Sequence, residues 1–255
     1  MTRLTLIAVA VFLATGCGSQ HTVKQQSVTF SGIKGFLVDP GTNGRHAAVV
    51  LVHGSGGDRY QLLGQAKALA AQGVVALTLT EPSSIHRPAP VSTVKALLDE
   101  TRSSQDGDVA AIRAAAAYLG TRPDVDTSRL GYLGWSSGAK LGAFVTDRFR
   151  ALALLSAGAQ PVSDFVAAAP PEDRALVRRV LTPLDPIGAL RHAGSGSVLL
   201  EDGKRDAIVP RAALLAIVHA APRGTVVRWY DTGHALNARA YSDARAWLVG
   251  KLGVQ

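Results

Sequence analysis

Two adjacent serines, Ser136 and Ser137, stand between Gly134 and Gly138 in the stretch LGYLGWSSGAK. The pattern is G-x-S-x-G with Ser136 at its centre, placed where an apolar run gives way to a segment of helical spacing. A turn that lifts one side chain above the end of a strand strains the backbone there and crowds strand against helix. Glycine two positions away on either side relieves the clash. Ser136 is therefore the candidate nucleophile, and Ser137 offers its backbone N–H to a developing oxyanion. A serine nucleophile needs a base for its proton and a carboxylate to orient that base. His234, in YDTGHALN, follows the last strand-like run and is the candidate base. Among the other histidines, His46, His86, His192 and His219 fall before strands or within loops and helices. Several carboxylates compete for the third role: Glu201, Asp202 and Asp206 crowd one predicted loop, and Asp231 lies just before the histidine.

These residues need elements to bring them together. SVTF and GFLVDP read as an early antiparallel pair. AAVVLVH is a continuous apolar run, the mark of a parallel strand covered on both faces. Strand-like runs VVALTLT, RLGYLGW, ALALLSAG, SVLLED and TVVRWYD then alternate with helical patterns over 61–73, 93–101, 106–119, 137–148, 211–221 and 238–252. Such alternation requires crossover connections, which makes most of the sheet parallel with helices on both faces. Reactive groups in such sheets gather at the carboxyl ends of the strands. Between about 158 and 194 the alternation breaks down among scattered prolines, and this segment is expected to lie over the site as a small cap. Its apolar residues Phe165, Val166, Leu176, Val177, Val180 and Leu181 suit either an acyl pocket or packing on the core. Glu81 and the proline-rich loop after it are placed on the opposite wall.

Composition bounds the possibilities. With 255 residues and 47% hydrophobic content the chain fits one packed α/β domain, read as residues 28–255. The net charge is +8, but Lys and Arg are scattered and aromatics reach only 5%, so a nucleic-acid surface is not expected. Arg174, Arg178 and Arg179 share a helical spacing and read as one solvated face. No zinc-like His/Cys spacing occurs, and neither metal nor cofactor is expected.

At the N-terminus Arg3 precedes an apolar run over 4–14 and then the chain's single cysteine, Cys17. The run is too short for a permanent membrane span and reads as an export signal. A lone cysteine directly after such a core resembles the lipobox of bacterial lipoproteins, with Ala14 where that motif usually carries Leu. That resemblance implies a signal peptide over 1–17, acylation of Cys17, a flexible tether over 18–27, and an exported domain held at a membrane by its lipid.

Together, HGSGG (53–57), DVDTSRLGYLGWSSG, DGKRDAIVP and GHALN resemble the α/β-hydrolase superfamily, nearest its dienelactone hydrolase-like and serine esterase branch. The likeness covers nearly everything from residue 30 onward. It implies a mostly parallel α/β-hydrolase sheet and, through the order Ser136, Asp206, His234, a catalytic triad. Asp206 matches the family's glycine-x-x-Asp pattern through Gly203, leaving Asp202 as the reserve and a turn former. The glycine-rich loop after the first buried strand matches the family's oxyanion loop, with Ser55 as second donor beside Ser137 and Gly56 as the alternative. His53 is then a structural histidine, and Asp124, Asp126 and Arg129 stabilise a strand entry. The family's dienelactone hydrolases proper carry cysteine where this chain has Ser136, so their substrate does not carry over. The expected activity is hydrolysis of a small ester or thioester through an acyl-enzyme. A peptidase, an acyltransferase and a non-catalytic binding lipoprotein on the same fold are the competing readings.

Overall fold

The computed structural model describes residues 22–85 and 91–254. Cys17, the signal segment and the start of the tether lie outside the described residues, as do Pro88 and Pro90 of the proline-rich loop.

The sheet is built by β1 (Lys24–Phe30), β2 (Ile33–Asp39), β3 (His46–Val52), β4 (Val75–Leu79), β5 (Val125–Trp135), β6 (Ala151–Leu155), β7 (Val198–Gly203) and β8 (Val226–Tyr230). Its spatial order is β1-β2-β4-β3-β5-β6-β7-β8. The first two strands pair antiparallel, and β2 pairs antiparallel with β4. All remaining neighbours are parallel, as the alternation requires. Along β3 successive residues face opposite cores. Ala48, Val50 and Val52 pack on one side, and Ala47, Val49 and Leu51 on the other. A strand covered on both faces must be apolar at every position, which is why β3 reads as an unbroken run.

One face is covered by α3 (Val94–Gly120), α4 (Ser137–Gly142) and α8 (Arg211–Ala220), through residues such as Ile112, Leu119, Leu141 and Ile217. The other is covered by α1 (Leu63–Ala70) and α9 (Ala238–Lys251), through Ala66, Leu69, Ala244 and Leu248. A short helix, α2 (Pro82–Ile85), follows β4. The remaining α5 (Val162–Ala168), α6 (Arg174–Leu181) and α7 (Pro186–Leu190) form the cap.

Several expectations need correction. β1 begins at Lys24, inside the segment read as tether, because an edge strand pairs through its backbone and needs few apolar residues: only Phe30 of its seven is buried. The two helices expected over 93–101 and 106–119 are one helix of 27 residues. The polar stretch between them suggested a break, but Asp108 turns inward and accepts the Ser83 N–H and O–H at 3.0 and 2.6 Å, fastening α2. The helix expected over 137–148 ends early, with α4 passing into a 3-10 turn at Ala143–Val145. The cap is helical rather than irregular, and Val166, Val177 and Val180 form a small core with Leu98 of α3. Arg174, Arg178 and Arg179 are exposed beside it, as the spacing indicated.

Close approach of α4 to the end of β3 sets a tight packing demand at Gly138. A Cβ on Gly138 would fall 2.5 Å from the His53 carbonyl oxygen and also meet that of Val52. Gly138→Ala is expected to cost about 3 kcal/mol or to abolish folding, since backbone cannot yield as a side chain does. Gly64→Ala, exposed in α1 with nothing near its missing Cβ, is expected to raise stability by about 0.5–1 kcal/mol. Denaturant melts of both variants against the wild type check the contrast.

Candidate active site

Ser136 caps α4 at φ 56° and ψ −115°, a left-handed φ that a residue with a side chain adopts only under constraint. The constraint comes from both neighbouring strands. The Ser136 N–H donates to Leu155 O at the end of β6 (2.8 Å), and the Gly138 N–H to His53 O after β3 (3.1 Å). Buried Tyr132 donates its hydroxyl to Gly138 O at 2.5 Å. Gly134 lies against Gly138, where a Cβ would fall 2.5 Å from the carbonyl oxygen. Both flanking glycines are thus demanded by contact.

Ser136 Oγ lies 2.9 Å from His234 Nε2, and His234 Nδ1 lies 2.8 Å from Asp206 Oδ2. A carboxylate accepts, so Nδ1 carries the proton and Nε2 is left to accept from the serine hydroxyl. The other Asp206 oxygen accepts the Ile208 and Val209 N–H groups, each at 2.9 Å. Burial pushes this carboxyl's pKa up, but the bonds from Val209, His234 and Ile208 outweigh it and the net direction is down. The Asp206 side chain is 1% exposed and that of His234 13%, so the imidazole is reachable and its carboxylate partner sheltered. Gly203 and Gly233 let the acid and base loops touch: a Cβ on Gly203 would fall 2.5 Å from Gly233 O.

Two residues that sequence reasoning missed hold the His234 backbone. Trp135 Nε1 donates to the His234 carbonyl at 3.0 Å, and Ser156 Oγ donates to the same oxygen at 2.9 Å. The Trp135 and His234 rings lie 5.2 Å apart, tilted. Ser156 is buried at the end of β6 with φ 52°. A serine at the carboxyl end of a buried parallel strand was the available signal.

Ser55, Gly56 and Ser137 line one cleft of about 960 Å³. Among the described residues none of their N–H groups has a protein acceptor, which leaves them free for an oxyanion. The loop abuts the serine turn, for a Cβ on Gly54 would fall 2.7 Å from the Trp135 ring. Val94, Leu97 and Leu98 of α3 and Phe165, Val177 and Leu181 of the cap line the apolar part of the cleft. Glu81 lines it as well but is 2% exposed, its carboxylate turned onto His53.

Comparison with family models finds no match, and neither does comparison with curated protein sequences. Solved structures do match. TT1662 from Thermus thermophilus superposes with a TM-score of 0.68 at 21% identity, over 92% of this chain and 100% of that one. An acetyl xylan esterase from Paenibacillus sp. R4 gives 0.70 at 17%, over 89% and 83%. A protein from Klebsiella pneumoniae, provisionally assigned as a dienelactone hydrolase, gives 0.67 at 14%, over 92% and 99%. The chain has the α/β-hydrolase fold.

Of the competing carboxylates only Asp206 meets His234. Asp231 is exposed and pairs with Arg205 at 3.3 Å. Glu201 and Asp202 are not in a loop but inside β7, fully covered, so Asp202 forms no turn. Glu201 accepts from Tyr230 at 2.9 Å and from Arg228 at 3.2 Å. Asp202 Oδ1 is buried with no partner. Burial, with the neighbouring charges of Asp206 and Glu201, pushes Asp202 up to about 7 against the pull of Arg211. Between about pH 4, where the unfolded chain releases this proton, and about 7, the folded protein retains it. Its contribution to stability therefore falls as pH rises through that window. Asp202→Asn is expected to melt several degrees above the wild type at pH 8, with the gap closing toward pH 4. Thermal scans across that range check it.

Proposed function

We propose that the protein is a serine hydrolase that cleaves a carboxylic ester or thioester through an acyl-enzyme. The unbroken relay Ser136–His234–Asp206, at 2.9 and 2.8 Å, carries this reading. In the first step His234 Nε2 takes the Ser136 proton as Oγ attacks the substrate carbonyl. The resulting oxyanion lies with the Ser55 and Ser137 N–H groups, and Gly56 is the alternative donor. The tetrahedral intermediate collapses, and His234 delivers the proton to the departing alcohol or thiol. Water then enters, loses a proton to Nε2, and attacks the acyl carbonyl. A second collapse returns that proton to Oγ and frees the acid. Asp206 stays ionised throughout and stabilises the imidazolium formed in each half. An acetyl xylan esterase among the similar structures is consistent with an ester substrate, although 17% identity carries the fold and not the substrate. The apolar wall between α3 and the cap suits a short or medium acyl chain.

The N-terminal features support export and a lipid anchor at Cys17. The described chain enters the sheet at Lys24, level with Asp39 and hence with the amino end of β4. The cleft lies at the opposite, carboxyl ends of the strands. An anchored molecule would thus hold the cleft away from the bilayer, toward substrates arriving from the aqueous side.

The protein without residues 1–17 is expected to take one fluorophosphonate adduct on Ser136, located by peptide mass spectrometry, and to hydrolyse p-nitrophenyl esters. Ser136→Ala should lose the adduct and about 10⁶ in kcat. A folded wild type that neither labels nor hydrolyses would sink the hydrolase and leave the binding lipoprotein. In membranes, a diacylglyceryl mass on Cys17 that disappears in Cys17→Ser tests the anchor.

A further inference from the structure

His53 and Glu81 are each 2% exposed, and their side chains meet through Nε2 and Oε2. Two titratable groups placed so far from water need a reason, because burying such a pair, ionised or sharing a proton, is seldom stabilising by itself. The geometry around the imidazole supplies one. His53 Nδ1 lies 2.8 Å from the Gly54 carbonyl oxygen. A carbonyl only accepts, so Nδ1 carries a hydrogen. Nε2 faces a carboxylate, and that contact also needs a hydrogen between its partners. The pair therefore holds one shared proton, resident on His53 or on Glu81, in addition to the one on Nδ1.

The Gly54 carbonyl belongs to the same planar trans peptide as the Ser55 N–H, and the two point in opposite directions across that plane. Fixing the oxygen fixes the direction of the N–H. The same carbonyl also accepts the Gly57 N–H at 3.0 Å, and the Gly54 N–H is held by Gln61 Oε1 at 2.9 Å. Gly57 has no room for a side chain, since its Cβ would fall 2.9 Å from His53 Nδ1 and 2.6 Å from Gln61 Oε1. The loop is closed around the imidazole.

We propose that Glu81 and His53 are positioning residues for the oxyanion hole: Glu81 holds the His53 ring on the Gly54 carbonyl, and this aims the Ser55 N–H into the cleft. The inference rests on the reading of Ser55 as an oxyanion donor. Burial lowers the affinity of His53 for its proton, but the Glu81 carboxylate and the Gly54 carbonyl raise it further, and the net direction is up. Glu81 is also raised, by burial first, against the pull of His53. The other groups acting on the pair are Asp58 on its own loop, Asp108 on α3, and Tyr132 on β5. Asp58 and Asp108 add negative charge that favours retention of the shared proton through neutral pH, where Tyr132, its own ionisation opposed by burial, stays uncharged. Once it leaves at alkaline pH, a carboxylate faces a bare Nε2 lone pair, the ring loses its hold, and turnover declines.

The experiment compares Glu81→Leu and Glu81→Gln with wild type in two ways. One is kcat and KM for a short p-nitrophenyl ester from pH 5 to pH 10. The other is the Ser55 amide resonance in ¹⁵N spectra. In Glu81→Leu, kcat is expected to fall about 10- to 100-fold with KM little changed, as for a mis-aimed oxyanion donor, and the Ser55 amide to shift. In Glu81→Gln the amide N–H donates to Nε2 of neutral His53 and keeps the ring in place. That variant should retain kcat within about threefold and lose the alkaline decline, because nothing titratable remains opposite the ring. A folded Glu81→Leu protein with wild-type kcat and an unmoved Ser55 amide overturns the inference, as does a Glu81→Gln variant as impaired as Glu81→Leu. Should Glu81→Leu fail to fold, Glu81→Gln decides through the presence or loss of the alkaline decline. A wild type that hydrolyses no ester counts against the hydrolase reading alone, and the Ser55 amide then decides this one.

Discussion

Ser136 is held at a backbone angle that an L-residue avoids, and everything at the carboxyl end of the sheet is arranged so that it stays there. A single residue in the left-handed region costs on the order of 1–3 kcal/mol. The bonds that hold it are the Ser136 N–H to Leu155, the Gly138 N–H to His53 and the Tyr132 hydroxyl to Gly138. Each contributes about 1 kcal/mol net, enough to offset the strain. The offset works only if β3, β5 and β6 keep their mutual register, because two of the three acceptors, His53 and Leu155, belong to β5's neighbours on either side. The apolar, doubly covered strands are therefore a condition of the site and not a neutral scaffold. A sheet free to slip by one residue would turn every buried side chain of β3 to the wrong core and release the serine into an ordinary conformation.

The same logic extends across adjacent strands. The loop after β3 brings the Ser55 and Gly56 amides, Ser136 directly follows β5, Ser156 directly follows β6, the loop after β7 brings Asp206, and the loop after β8 brings His234. No strand supplies the whole apparatus. Cross-strand contacts hold the pieces to one another: Trp135 and Ser156 both grip the His234 carbonyl, Gly203 lets its loop touch Gly233, and Gly54 lies against the Trp135 ring. Three of these involve a glycine or the elbow tryptophan at a point of backbone contact. This gives the glycines of HGSGG and GWSSG a mechanical meaning beyond their ability to bend.

How much of this could be read from the sequence depended on whether the determinant was local. Ser136 was legible because the turn's steric demand writes glycines two residues away on either side. The strands were legible because burial on both faces forces continuous apolar runs. Asp206 and His234 were found as residues after strands, although only coordinates could show that Asp231, nearer in sequence, is exposed and turned to Arg205. Long-range satisfaction stayed hidden. The polar stretch over 102–105 looked like a helix break, and the bonds by which Asp108 just beyond it fastens Ser83, 25 residues earlier, could not be read from the sequence. Glu201 and Asp202 looked like loop residues because charged side chains rarely occupy a fully buried strand. The start of β1, Lys24 to Gln26, was taken for tether because an edge strand announces itself through its partner's backbone and not through its own side chains. His53 could be named as structural, but its partner Glu81 lies just past the end of another strand, β4, and the sequence offers no rule that joins them.

Asp202 and Asp206 show how little residue type alone decides. They are four positions apart on the same strand and loop, and their carboxyls move in opposite directions. Burial pushes both upward. Asp206 receives two backbone N–H groups from the turn at 207–209 and a third hydrogen bond from His234, and it remains ionised. Asp202 has a buried oxygen with no donor and the negative charge of Asp206 nearby, and it holds its proton toward neutrality. The two outcomes support one another. A second full charge beside Asp206 would raise the cost of keeping that carboxylate ionised, and a neutral Asp206 could not stabilise an imidazolium on His234. The turn that aims its N–H groups at Asp206 thus favours the charge on the one of the two acids that contacts His234.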